Sequence, residues 1–94
     1  IFFIAQQPTQ ANVSIGDDFF SPAQLTVSVG TTVIWTNNGF SSHTVTDNSG
    51  SVFDSGILNR GSMFQFRFTN AGSFPYFCRV HGQVMSGTIT VTAN

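Results

Sequence analysis

The segment CRVHGQVM, residues 78–85, places a thiol, an imidazole and a thioether within eight positions. Cys78 is the sole cysteine of the chain, His81 is one of two histidines and Met85 one of two methionines; the second histidine is His43. Taken singly, each residue has an ordinary explanation, because cysteine is among the most buried residue types and methionine fills gaps in cores. Together they form a donor set. A thiolate and two imidazoles with a weak axial thioether suit copper in electron transfer, since soft sulfur favours Cu(I) and imidazole accepts both oxidation states. Structural zinc asks for four strong ligands, commonly several thiolates, and a thioether serves that ion poorly.

Whether the four residues meet depends on the elements that carry them. Short alternating segments separated by Gly, Asn, Ser and Asp run through the chain, with no sustained helical period. In SMFQFRFT, Phe64, Phe66 and Phe68 fall on one face and Met63, Gln65 and Arg67 on the other, the pattern of a half-buried strand. The same alternation turns inward Val13 and Ile15, then Leu25, Val27 and Val29, then Val33 and Trp35, and lastly Ile89 and Val91. Thr88, Thr90 and Thr92 then face outward. Turns are expected near Gly30, Gly39, Gly50, Gly61 and Gly72.

This spacing predicts an all-β Greek-key β-sandwich of about seven or eight strands over residues 11–94. Cys78 follows the apolar strand SFPYF and Met85 precedes the strand SGTITVTA, so His81 is expected in a tight loop at one end of the sandwich. His43 begins HTVT, read as a strand that starts at that same end. Residues 1–10, IFFIAQQPTQ, read as an N-terminal extension ahead of the first regular strand.

Composition narrows the function classes. Ninety-four residues make one domain, and with 40% hydrophobic and 14% aromatic residues there is ample material for a core without disulfides. There is no lysine and no glutamate; Arg60, Arg67 and Arg79 stand against Asp17, Asp18, Asp47 and Asp54, for a net charge of −1. No basic stripe is available for phosphate backbones, which argues against nucleic acid as a partner. No apolar run reaches the length of a membrane span, and the start of the chain reads as that of a mature product.

FSPAQLTVSVGTTVIWTN, HTVT, FDSGIL and GSFPYFCRVHGQVMSGTITV follow one another in an order and spacing that resembles the small blue copper proteins of the cupredoxin family. The resemblance covers nearly everything from residue 11 onward. It implies a cupredoxin-like domain whose one type 1 copper ion is bound by His43, Cys78, His81 and Met85, shuttling single electrons between redox partner proteins. It also implies an extracytoplasmic setting. His81 in its loop is expected to show one ring edge to solvent amid Gly39, Phe40, Gly82 and Val84, an apolar patch on which redox partners dock. Phe40, Phe77, Val80 and Val84 are expected to keep the centre dry.

The chain departs from the family in three places. Its loop combines a Cys-x2-His and a His-x3-Met spacing that members usually keep apart. Its tyrosine is Tyr76, not residue 77 beside the cysteine. Thr44 follows the first histidine where asparagine is frequent; its hydroxyl is placed to tie the two ligand loops together, and its N–H to donate to the cysteine sulfur.

An electron carrier is therefore the leading expectation, and not an enzyme: multi-centre copper enzymes need further histidines, and both here are assigned. The alternatives are a mononuclear site reacting with a small molecule such as nitric oxide, a copper-containing subunit of a self-assembling filament joined as a homo-oligomer through residues 1–10, and copper delivery.

Overall fold

The computed structural model describes residues 10–93. Eight strands run in the order β1 (Gln10–Gly16), β2 (Phe19–Ser21), β3 (Gln24–Ser28), β4 (Thr32–Asn37), β5 (Thr46–Asp47), β6 (Met63–Arg67), β7 (Gly72–Cys78) and β8 (Gly82–Thr92). They form two four-stranded sheets, ordered β2-β1-β4-β6 and β3-β8-β7-β5. Each sheet is mixed: β1 runs parallel to β4, and β3 parallel to β8. No helix occurs among the described residues. This is the expected all-β sandwich. Most of the expected extension lies outside the described residues; its last residue, Gln10, already belongs to β1 and pairs with Thr32.

The core sits where the two inner faces meet. Val13 and Ile15 of β1, Val33 and Trp35 of β4, and Ile89 and Val91 of β8 are all buried, as period-two alternation requires. Trp35 lies at the centre, with Phe53, Phe64, Phe68 and Tyr76 around its indole at ring separations between 5.5 and 6.4 Å. Aromatic groups of this size dominate core energetics, and their edge-to-face contacts add to plain area burial.

Val29 does not follow the alternation. Strand β3 ends at Ser28, Val29 N–H donates to Thr92 O at 2.9 Å as the chain turns, and the valine is left 39% exposed. Inward and outward alternate only while the chain stays extended, so the period lapses one residue before the expectation did.

Two strand readings near the donor residues also shift. Strand β8 begins at Gly82, so Met85 lies inside it and does not precede it. HTVT is not a strand from its first residue. His43 forms an isolated bridge with Leu58, exchanging N–H to O bonds of 3.1 and 2.7 Å, and regular pairing with β7 starts only at Thr46.

Candidate metal centre

Strand β7 delivers Cys78 as its last residue, paired with Gly82 across a register shift that opens the ladder between Phe77 and Cys78. The shift marks the point where the β7–β8 hairpin widens, and His81 occupies the widened loop. The bridge to Leu58 holds His43 on the opposite side. One donor atom each from His43, Cys78 and His81 lie within 4.8 Å of one another. Cys78 Sγ is 3.7 Å from His43 Nδ1 and 3.6 Å from His81 Nδ1. The two imidazoles lie 5.0 Å apart between ring centroids.

These separations match a common ion. Two bonds of about 2.0 to 2.3 Å, typical of nitrogen and sulfur ligands to a first-row metal, span roughly 3.7 Å when they meet near 120°. Donor chemistry favours copper over zinc for the reason given by the sequence: one thiolate and two imidazoles are available, and the remaining soft candidate is a thioether.

Cys78 and His43 are fully buried and Met85 is 1% exposed, whereas the His81 side chain keeps 28% of its surface open. Alternation along β8 turns Met85 inward, on the same face as Ile89 and Val91.

Thr44 joins the two ligand segments. Its backbone N–H is 3.4 Å from Cys78 Sγ, and its Oγ1 accepts the backbone N–H of Arg79 at 2.8 Å. Asn37 supports the other side: its Nδ2 donates to Ser41 O and Leu58 O, both at 2.9 Å, fixing the segment that leads into His43.

Of the four residues expected to keep the centre dry, Phe77 is half-buried, but the other three are placed differently. Phe40 is 76% exposed, Val80 50% and Val84 89%, so these residues form the surface around the histidine end and do not shield the centre. Period two explains Val84 directly: Met85 inward puts its neighbour outward. Burial of the donors comes instead from the core cluster to which Cys78 and Met85 belong. Tyr76 also points into that core, packed edge-on against Phe20 at 4.7 Å, and offers no phenol at the surface.

Charges at this end were missed by sequence reading. Asp17 Oδ1 lies 3.3 Å from His43 Nε2, and Asp18 Oδ1 lies 3.3 Å from His81 Nε2. The signal present in the sequence was two consecutive aspartates in a turn, but they are 26 and 63 positions from the histidines they meet, and nothing local sets that contact. Arg79 turns away to Asp54 at 2.8 Å, and Arg60 stacks over the Phe40 ring at 4.2 Å.

Comparison with known proteins gives a consistent picture. The model of the cupredoxin-like domain matches residues 3–91. A chloroplastic plastocyanin from Tetradesmus obliquus is 34% identical over 105 aligned residues, covering 96% of this chain and 72% of the plastocyanin. Among solved structures, a purple cupredoxin from Nitrosopumilus maritimus superposes with a TM-score of 0.80 at 32% identity, covering 87% of this chain and 99% of the other. A mutant of amicyanin in its reduced Cu(I) form gives a TM-score of 0.80 at 26% identity, with 95% and 86% covered. From the matched length, the shared sandwich and the His-Cys-His cluster at its end, the chain belongs to the cupredoxin-like domain family.

Proposed function

We propose that the protein is a mononuclear type 1 copper electron carrier, in which His43, Cys78 and His81 would be the strong ligands and Met85 a weak one. Copper in such a site supplies one electron at a time by passing between Cu(I) and Cu(II). The observation that carries the reading is the three-donor cluster, with Sγ to Nδ1 separations of 3.7 and 3.6 Å beneath a buried cysteine.

The surrounding residues have definable tasks. The Thr44 N–H directed at Cys78 Sγ stabilises negative charge on sulfur. Thr44 Oγ1 and the His43–Leu58 bridge hold the two ligand segments at fixed spacing, so the donors need not reorganise when the charge of the centre changes. Burial keeps water from the sulfur. A fully enclosed cysteine also speaks for a carrier over a delivery protein, whose sulfur ligands must be reachable for exchange.

His81, partly open to solvent, is the route by which electrons enter and leave, with Phe40, Val80 and Val84 as the apolar face on which a redox partner protein docks. The family likeness supports placing the protein outside the cytoplasm and treating it as a carrier, not an enzyme. Among the described residues no helix is long and apolar enough to cross a membrane.

The test is a visible absorption spectrum of the copper-loaded protein. A strong thiolate-to-copper charge-transfer band is expected, and Cys78→Ser removes it together with the redox couple, because a hydroxyl cannot replace the soft anionic sulfur. A Cys78→Ser protein that keeps both overturns the assignment.

A further inference from the structure

The turn between β1 and β2 lies against both histidines at once. Asp17 and Asp18 are consecutive, and their carboxylates reach different rings: Asp17 Oδ1 to His43 Nε2, and Asp18 Oδ1 to His81 Nε2, each at 3.3 Å. In both rings it is the other nitrogen, Nδ1, that lies near Cys78 Sγ. Each imidazole is thus addressed at both ends, by the donor cluster on one side and by its own carboxylate on the other.

The turn is shaped for this. Asp18 adopts φ = 73°, a left-handed conformation that aspartate tolerates better than most side chains. Asp17 is pinned by more than its histidine: Oδ1 accepts the N–H groups of Phe40 and Ser41, both at 3.0 Å, and Oδ2 accepts that of Phe40 at 3.1 Å. The loop leading to His43 can come this close only because residue 39 has no side chain. A Cβ there would collide with Asp17 Oδ1 and stand 2.9 Å from Asp17 N.

The Asp17–His43 contact has hydrogen-bond geometry, whereas Asp18 stands beside His81 as a neighbouring charge only. A ring N–H that donates to a carboxylate, as His43 can to Asp17, fixes the tautomer, leaves the lone pair on the opposite nitrogen and makes that nitrogen a stronger donor. A stronger donor and a nearby anion both stabilise the more positive oxidation state of a bound metal.

We infer that Asp17 is a positioning residue for His43, that Asp18 acts on His81 through its charge, and that both lower the reduction potential of the centre by favouring its oxidised form. The inference rests on the copper reading above. The two shares are unequal. Asp17, with its side chain 40% exposed, faces a fully buried ring and is held by backbone donors, whereas Asp18 is 74% exposed and screened by solvent.

The experiment measures midpoint potential and charge-transfer band for copper-loaded wild type, Asp17→Asn and Asp18→Asn, at low salt and at about 1 M salt, where screening acts over about 3 Å. Asp17→Asn is expected to weaken Cu(II) binding about tenfold relative to Cu(I), at the low end for loss of such a partner, which raises the potential by about 59 mV for one electron. Asp18→Asn raises it by less. Nitrogen NMR of the Cu(I) proteins is expected to show the His43 Nε2 resonance shifted in Asp17→Asn and unmoved in Asp18→Asn.

A wild-type band with potentials unchanged in both variants overturns the inference and leaves the copper assignment standing. A shift in Asp17→Asn that vanishes at high salt overturns it as well, reducing the effect to surface charge. Absence of the band in wild type refutes the copper assignment instead. Should Asp17→Asn fail to fold, Asp18→Asn decides, since Asp18 accepts no backbone N–H among the described residues: an unchanged potential there overturns the inference.

Discussion

The backbone N–H of Thr44 lies 3.4 Å from the sulfur of Cys78, and the hydroxyl of the same threonine accepts the N–H of the residue after that cysteine. One residue therefore fastens the segment carrying the first histidine to the hairpin carrying the other candidate ligands. Thr44→Val keeps the backbone donor to sulfur and removes the acceptor for Arg79. Because Arg79 is itself exposed, water can replace the lost acceptor, and the change is expected to lower stability by about 0.5 to 1.5 kcal/mol, the net worth of one hydrogen bond, while the charge-transfer band persists. Chemical denaturation with the spectrum recorded in parallel checks both halves.

Met85→Leu separates coordination from packing. Met85 is 1% exposed in the interior face of β8, and leucine nearly conserves its volume, so the fold is expected to lose under about 1.5 kcal/mol. Copper and colour are expected to be retained and the potential to rise, because loss of a weak thioether donor would destabilise Cu(II) more than Cu(I). A potential and spectrum identical to wild type would assign Met85 to packing alone.

Gly87 is sealed by its neighbours. A Cβ there would stand 2.6 Å from the Tyr76 hydroxyl and 2.9 Å from Ala23 O, the carbonyl that accepts Thr88 N–H at 2.8 Å. Gly87→Ala forces that rigid contact apart, at an expected cost of about 1 to 3 kcal/mol measured by thermal or denaturant unfolding.

Acid lability has a named contributor in Asp47. Burial pushes its carboxyl up, but the Ser49 hydroxyl and the N–H groups of Val52, Ser49 and Ser51 outweigh that and hold it below its ordinary value of 3.8. A carboxylate whose folded pKa is depressed adds stability above its unfolded pKa and loses it as the pH falls through the folded one. Stability is thus expected to drop as the pH falls below about 4, and Asp47→Asn to show a shallower drop. Unfolding curves of both proteins between neutral and strongly acid pH test the difference.

Val84→Asp probes the proposed docking face. Val84 is 89% exposed, so stability is expected to stay within about 0.5 kcal/mol of wild type. Electron exchange with a redox partner that docks on apolar surface slows, since the new charge must be desolvated on contact. Exchange rates equal to wild type would move the docking surface away from this end.

Most strands, most inward-facing residues and the candidate donors were legible along the chain, because each rests on short-range regularities; Val29 and the start of HTVT, where the regular pattern breaks, were not. Period-two alternation places Phe64, Phe66 and Phe68 on one face whatever the rest of the molecule does, and donor chemistry belongs to residue types. The Cys-x2-His spacing likewise keeps Cys78 and His81 within one hairpin. Packing and pairing across the sandwich decided the remainder. His43 meets Cys78 through a bridge to Leu58, 15 positions away, and β8 starts early enough to take in Met85, which turns Val84 out to solvent. Asp17 and Asp18 meet the histidines only because β1 runs beside β4, bringing a turn near the start of the domain to the end where His43 and His81 lie. Such contacts depend on which strands pair and in what register, and no local sequence pattern encodes them.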